Sequence, residues 1–224
     1  MNNELAYLPI LRRVGVVLIV VGVIDVGWMI YCIVHRIGYS SSFNIFSIVA
    51  GIFLLRGSLR GAAFVTRAAT FLLTCLLALV FVWPVFLPAG LALAELRVYP
   101  LRFLASAALM AFVLGLLFWV VRQLRRETVL EAIARSSGKI PSLRGPILAG
   151  LAILVIVVSL SGLSRRSEST RRAEQIAASQ VGKGYSLHVT SMRTVWTRKG
   201  KTVSAVVTAW NNREIREIQV NLDQ

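Results

Sequence analysis

The sequence predicts a multi-pass α-helical membrane protein of about five transmembrane helices with a small C-terminal α+β domain. Three observations predict this class. The 224 residues are 56% hydrophobic and only 16% are charged, whereas about 25% of residues are charged in soluble domains. The long apolar runs lie within residues 1–163, and residues 164–224 instead show the alternation that is typical of strands. This composition excludes a disordered chain, a collagen-like chain and an ordinary soluble enzyme.

Five apolar runs are candidates for crossing ~30 Å of hydrocarbon, which takes about 20 helical residues. They cover residues 14–34, 37–55, 68–84, 103–121 and 146–163. The second run is the shortest, because it reaches about 19 residues only if 37–42 join the strongly apolar part. Pro84 and Pro88 predict a kink or an end of the third run. The apolar residues 85–96 are predicted to form a short interfacial or re-entrant helix.

The distribution of basic residues predicts the orientation. The chain carries 25 lysines and arginines against 10 acidic residues, a formal charge of +15. Most basic residues outside the tail fall in loops on the N-terminal side of the runs, which the positive-inside rule assigns to the cytoplasm. Five spans then place the C-terminal domain in the periplasm of a bacterial-type inner membrane. A group of arginines at 165–172 weakens this assignment, and the residues predicted to contact lipid headgroups are Arg122, Arg125, Arg126, Arg165 and Arg166.

The basic segment 122–144, predicted to be cytoplasmic, should form a helix. Leu124, Leu130 and Ile133 can share one stripe, and Glu131 precedes Arg135 by four residues, a spacing that pairs charges on a helix. The favoured interpretation is an extension of the fourth span that rests on anionic headgroups. The alternative is a helix that docks a partner.

Residues 164–224 predict one helix and an antiparallel three-stranded meander. The helix covers 167–181 and stops at Gly182, and the strands cover 185–197, 202–210 and 214–222. This order resembles, in layout only, the small soluble domain of mitochondrial cytochrome oxidase assembly factors, and no residue is carried over from it. Because so small a domain is marginally stable alone, we expect it to lean on the membrane or on a partner.

Asp25 is the sharpest functional candidate, since it lies near the middle of the first run. A carboxylate at the bilayer centre costs about 2.5–3.5 kcal/mol on insertion scales, so its presence suggests a role. A structural or assembly role is favoured, and a proton or cation site is the alternative. The polar side chains available as its partners are Asn44, Ser47, Thr70 and Thr74.

A second candidate is a face of the predicted sheet that could bind a ligand or a partner. Strict alternation puts His188, Met192 and Trp196 on one face of the first strand, and Trp210 joins them from the second strand. Such a face more often packs under a helix or against the membrane surface, and that is the favoured interpretation.

The remaining patterns indicate what the protein lacks. Cys32 and Cys75 both lie in apolar runs, and two histidines are too few for a metal site, so no metal and no cofactor are expected. The sequence shows no nucleotide-binding or hydrolase motif. Its arginines flank apolar runs rather than forming a nucleic-acid surface.

The sequence therefore favours a non-catalytic accessory, assembly or scaffold subunit of the inner membrane. It would contact membrane lipids and another membrane or periplasmic protein, with a homo-oligomer as an alternative. Two other functions stay open. One is a transporter or an ion- or proton-conducting subunit that uses Asp25. The other is a membrane sensor with a ligand-binding C-terminal domain.

Overall fold

A computed structural model describes residues 6–36, 43–86, 88–137, 142–165, 168–182, 184–197, 200–211 and 214–223. These residues form eight helices followed by one three-stranded sheet. The helices are α1 (Leu8–Val34), α2 (Phe43–Leu55), α3 (Leu59–Phe86), α4 (Ala89–Val98), α5 (Pro100–Leu124), α6 (Glu127–Ser137), α7 (Arg144–Arg165) and α8 (Glu168–Val181). The strands are β1 (Ser186–Thr197), β2 (Gly200–Trp210) and β3 (Ile215–Asp223).

Three helices are long and apolar enough to cross a membrane: α1, the Leu59–Trp83 part of α3, and α5. The chain is therefore a mostly helical membrane protein with a small C-terminal antiparallel sheet. Two further apolar helices, Ile45–Leu55 and Arg144–Ser159, are shorter than a span requires. Five spans are not confirmed, and the predicted extension of the second run falls on residues 37–42, outside the described part.

The turn between α2 and α3 shows why these helices end and begin where they do. Gly57 has φ +70°, a conformation that glycine adopts without a Cβ penalty. Its N–H donates to the Leu54 carbonyl over 2.9 Å, and the Ser58 N–H donates to the Phe53 carbonyl over 3.2 Å, which is a Schellman motif. The Ser58 hydroxyl then accepts from the Gly61 N–H at 3.1 Å. Ser58 thus caps α3, which begins earlier than the apolar run alone predicts.

The chain divides into two compact units. The first unit comprises residues 1–76 and 113–150, and the second comprises 77–112 and 151–224. The helices α3, α5 and α7 each contribute residues to both units. The predicted boundary at residues 163 and 164 stays a prediction.

In the first unit, side chains from five helices share one core. Fully buried members include Leu11 of α1, Leu54 of α2, Val65 of α3, Leu117 of α5 and Val129 of α6. The contribution of α6 differs from the prediction of a helix resting on headgroups. Its Val129 and Ile133 are buried, at 0% and 1% exposure. The predicted pair of Glu131 and Arg135 is confirmed at 3.3 Å on the exposed face.

In the second unit, α8 packs on one face of the sheet, which has the order β1-β2-β3 and is antiparallel throughout. The stripe Thr170, Ala173 and Ala177 of α8 is buried. Alanine side chains let the helix lie close to the strands, where they contact a core that includes Val207 and Val220. The predicted stop of this helix is confirmed, since Gly182 has φ +81°.

The helix predicted between the third and fourth runs is confirmed as α4, and it begins after Pro88. Its Leu91 and Ala94 are buried together with Trp210 of β2 and Ile215 of β3. The sheet is therefore held within its unit by α8 on one face and by α4 at the Trp210 end of the other.

Candidate functional site

Asp25 lies on α1 and is half-buried. The nearby residues Ile24 and Gly27 of the same helix are exposed. It takes part in an interaction within the structure. A carboxylate needs hydrogen-bond donors to be stable in an apolar environment. A predicted partner can therefore stabilise Asp25 only if its side-chain N–H or O–H group is not already used elsewhere.

Two of those partners use their hydroxyl groups within α3. The Thr70 hydroxyl donates to the Thr66 carbonyl over 2.8 Å, and the Thr74 hydroxyl donates to the Thr70 carbonyl over 2.9 Å. Thr66, which the sequence analysis did not single out, donates to the Ala62 carbonyl over 2.8 Å. Because each hydroxyl has one proton, these threonines are not donors to Asp25 in this structure. The spacing of four residues is the signal that could have revealed this ladder.

The other two partners lie on α2. The Ser47 side chain is fully buried, and its Oγ is the one buried side-chain polar atom without a hydrogen-bond partner among the described residues. The side chain of Asn44 is outside the described part of the chain. Ser47 is thus a hydroxyl that is enclosed by packing and not used by its own helix.

The arginines predicted to mark the cytoplasmic side collect in the first unit. Every one of them that the structure describes is exposed. Arg122, Arg125 and Arg126 follow the apolar part of α5, as predicted, whereas the side chains of Arg165 and Arg166 lie outside the described residues. The exposed set is Arg12, Arg13, Arg56, Arg60, Arg67, Arg122, Arg125, Arg126, Arg135 and Arg144.

The predicted ligand face of the sheet is divided by a bulge. His188 pairs with Thr208, so it shares a face with Trp210 as predicted. The register then shifts between Val189 and Ser191, which inserts Thr190 as an extra residue. Past such a bulge the alternation reverses. Met192 consequently packs with Leu187 and Val189 in the core under α8, not beside His188.

Trp196 pairs with Lys201 in the ladder, and its side chain is outside the described set. The described residues of the His188 face, which we call the open face, change in exposure along the sheet. Trp210 and Thr208 are buried, Val206 is half-buried, and Ser191, Glu217 and Gln219 are exposed. The open face is therefore covered near α4 and accessible away from it.

A cleft of about 720 Å³ lies between α4 and the Trp210 end of the sheet. Its α4 wall consists of Gly90, Leu93, Ala94 and Arg97, whose spacing of three and four residues places them on one helix face. Its other wall is made by the start of β1 and the end of β2, with Gly184, Ser186, Trp210 and Asn211. The cleft has no signal in the sequence, because its walls are far apart along the chain.

A polar cluster stands beside this cleft at the turn between β2 and β3. Tyr185 donates its hydroxyl proton to Glu214, whose other carboxylate oxygen accepts from Arg216 over 3.0 Å. The Arg216 guanidinium also lies 5.8 Å from the centre of the Tyr185 ring. The hydrogen bond from Tyr185, followed by the bond from Arg216, lowers the pKa of Glu214. The same bond with Glu214 raises the pKa of Tyr185.

Among the described residues, no group of three or more histidine, cysteine, aspartate or glutamate side chains could hold a metal ion. Comparison of the chain with known protein families, with curated proteins and with solved structures finds no match.

Proposed function

We propose that the chain is a five-span protein of a bacterial-type inner membrane, with its N-terminus in the cytoplasm and its C-terminal sheet in the periplasm. Three span-length helices and the shorter apolar parts of α2 and α7 support this number. The exposure of the arginines in the loops assigned to the cytoplasm supports the orientation, since charged loops of this kind are retained on that side.

A phosphatase that is active only in the periplasm, fused after Gln224, tests this topology. We expect activity from that fusion and none from a fusion placed after Arg126. Activity from the second fusion alone would overturn the orientation. If neither fusion were active, a periplasmic sheet would be contradicted. The partner-binding role would not be affected by that result, because it is tested by a separate experiment.

We further propose that the protein is a non-catalytic accessory, assembly or scaffold subunit that presents the open face to a protein partner. The observation that carries this proposal is the unequal covering of the sheet. One face is packed under α8, and the other passes from buried Trp210 to exposed Glu217 and Gln219. A sheet face with a buried end and an accessible polar remainder suits a partner of mixed polarity, because interfaces have an apolar centre and a polar rim.

Purification of the full chain in mild detergent from its native host tests this role. We expect a stoichiometric membrane or periplasmic protein to accompany the wild type and to be lost from Gln219→Arg, which adds a long cation to the open face. Gln175→Arg is the matched control, because Gln175 is exposed on α8. Equal recovery of the partner with both variants would exclude the open face as the interface.

Transport or conduction through Asp25 is the second candidate function. The half-buried position of this carboxylate in a span-length helix favours it, because acidic groups in membranes often mark ion or proton paths. Asp25→Asn keeps the hydrogen-bonding shape and removes the charge. Under transport, the variant protein in liposomes loses ion or proton flux that the wild type shows. Under an assembly role, Asp25→Asn keeps its partner and neither protein conducts.

A further inference from the structure

The cleft between α4 and the sheet has the chemistry of a site for an anion. Among the lining residues that the structure describes, Arg97 is the one with a charged side chain. Its guanidinium is exposed and makes no ion pair with any described residue. The neighbouring acid at the turn, Glu214, is already engaged by Tyr185 and Arg216. The charge that the described lining residues present to the cleft is therefore positive.

Trp210 supplies a second donor in the same cleft. Its side chain is 9% exposed and lines the cleft. A methyl group in place of the Gly90 hydrogen would lie 3.3 Å from the indole Nε1, so the N–H edge of the ring faces α4. Among the described residues this indole N–H has no acceptor, and its nitrogen is not one of the fully buried polar atoms, so it is accessible from the cleft.

The two donors are spaced along α4. Gly90, beside the indole, and Arg97 are seven residues apart, which corresponds to roughly 10 Å of helix. The apolar side chains of Leu93 and Ala94 lie between them on the same wall. A suitable ligand therefore carries an anion at one end, an oxygen acceptor at the other, and an apolar portion.

The position of α4 in the chain identifies where such a molecule would come from. The helix connects α3 with α5, and both are long and apolar enough to cross a membrane. A short helix between two consecutive spans lies at a membrane surface. Leu93 and Leu96 are exposed there, at 54% and 37%, so acyl chains can reach the opening.

We propose that this cleft binds the headgroup of an anionic phospholipid. The Arg97 guanidinium pairs with the phosphate, and the Trp210 indole N–H donates to an ester or headgroup oxygen. Basic pockets beside membrane helices recognise phosphorylated headgroups in this manner. The site requires α3 and α5 to span the membrane and does not depend on the accessory role proposed above.

The test uses the full-length protein in phosphatidylcholine nanodiscs that contain a small fraction of photoactivatable phosphatidylglycerol. We expect labelling on the α4 peptide or on the peptide that contains Trp210. We also expect Arg97→Gln to reduce this labelling about ten-fold, and Trp210→Phe, which keeps an aromatic ring, to reduce it about three-fold. Arg102→Gln is the matched control, because Arg102 is exposed at the start of α5 and does not line the cleft.

Three results would overturn the proposal. The first is equal labelling in Arg97→Gln and Arg102→Gln, and the second is equal labelling by photoactivatable phosphatidylcholine. In the third, soluble glycerol 3-phosphate displaces the lipid at concentrations matching those of the lipid, which would assign the cleft to a soluble phosphate. Size-exclusion profiles and circular dichroism of each variant establish that a loss of labelling is not a loss of folding.

Discussion

Gly15 of α1 and Gly51 of α2 face each other with no room for a side chain. A methyl group built on Gly51 would lie 2.7 Å from the Gly15 carbonyl oxygen, and one built on Gly15 would lie 2.8 Å from the Gly51 carbonyl oxygen. Two helices that meet backbone to backbone gain van der Waals contact along their whole interface, which is the main attraction between helices in lipid. This contact fixes how α2, too short to be a confirmed span, is attached to α1.

Gly51→Ala should therefore destabilise the protein. The new methyl group would also lie 2.5 Å from Cγ1 of Ile19, so the helices must separate, at a cost of roughly 1–3 kcal/mol for overpacking. Thermal unfolding in detergent measures this loss. Gly27→Ala is the control, because a methyl group there meets nothing within 4 Å. Equal melting temperatures for the two variants would show that the close contact is absent in the folded protein.

Ser47→Ala should leave the stability unchanged or raise it by up to about 1 kcal/mol. A buried hydroxyl without a partner costs roughly 1–3 kcal/mol, and removing it relieves that cost while leaving only a small void. The same unfolding measurement applies. Ser106→Ala is the control, because Ser106 is exposed and donates to the Phe103 carbonyl. A marked destabilisation by Ser47→Ala would instead mean that the hydroxyl has a partner in the functional protein.

Sequence patterns predicted the elements of the second unit better than they predicted which side chains share a face of the sheet. Apolar runs and alternation predicted the helices and strands of the second unit well, with strand ends within two residues of those observed. The bulge at Thr190 was not predictable, because threonine and serine are ordinary strand residues. Because of this bulge, Met192 lies in the core under α8 and not on the predicted ligand face. Periodicity reports which residues share a face of one element, and an inserted residue breaks that inference.

Contacts between segments that are distant along the chain could not be predicted from the sequence, for a different reason. The apolar stripe of α6 was recognised, but headgroups and a protein core both favour an amphipathic helix. The burial of Val129 and Ile133 in the core of the first unit favours the protein core. The contact of α4 with Trp210 likewise has no local signature. The position of Asp25 was clear from the sequence. The four-residue spacing of Thr70 and Thr74 allowed their hydroxyls to bond within α3, and the structure shows that they do.

The burial of α6 gives a direct prediction. Ile133→Ala should lower the free energy of unfolding by roughly 2–4 kcal/mol, because the side chain is 1% exposed and its loss leaves a cavity. Thr128→Ala, at an exposed position of the same helix, should have little effect. Hydrogen exchange of the 127–137 backbone gives a second readout. If α6 merely rested on headgroups, the two variants would behave alike in lipid nanodiscs.

The cluster beside the cleft predicts a pH dependence with a defined sign. Glu214 has a lowered pKa in the folded protein, so its contribution to stability is present above the unfolded value of about 4.3 and is lost as the pH falls through the folded value. Tyr185 has a raised pKa. Its contribution is present below the unfolded value of about 10 and is lost as the pH rises towards the folded value.

Tyr185→Phe removes the hydrogen bond that is the first cause of the pKa shifts of both Tyr185 and Glu214. The effect of this bond on the Glu214 pKa can then be separated from the effect of Arg216. We expect the Glu214 pKa to rise towards its ordinary value in this variant, as followed by NMR of a selectively labelled carboxyl carbon. Arg216→Gln should also raise it, because this variant removes both the hydrogen bond from Arg216 and its positive charge. A larger rise in Arg216→Gln would mean that the ion pair dominates. An unchanged pKa in both variants would mean that the cluster does not form in solution.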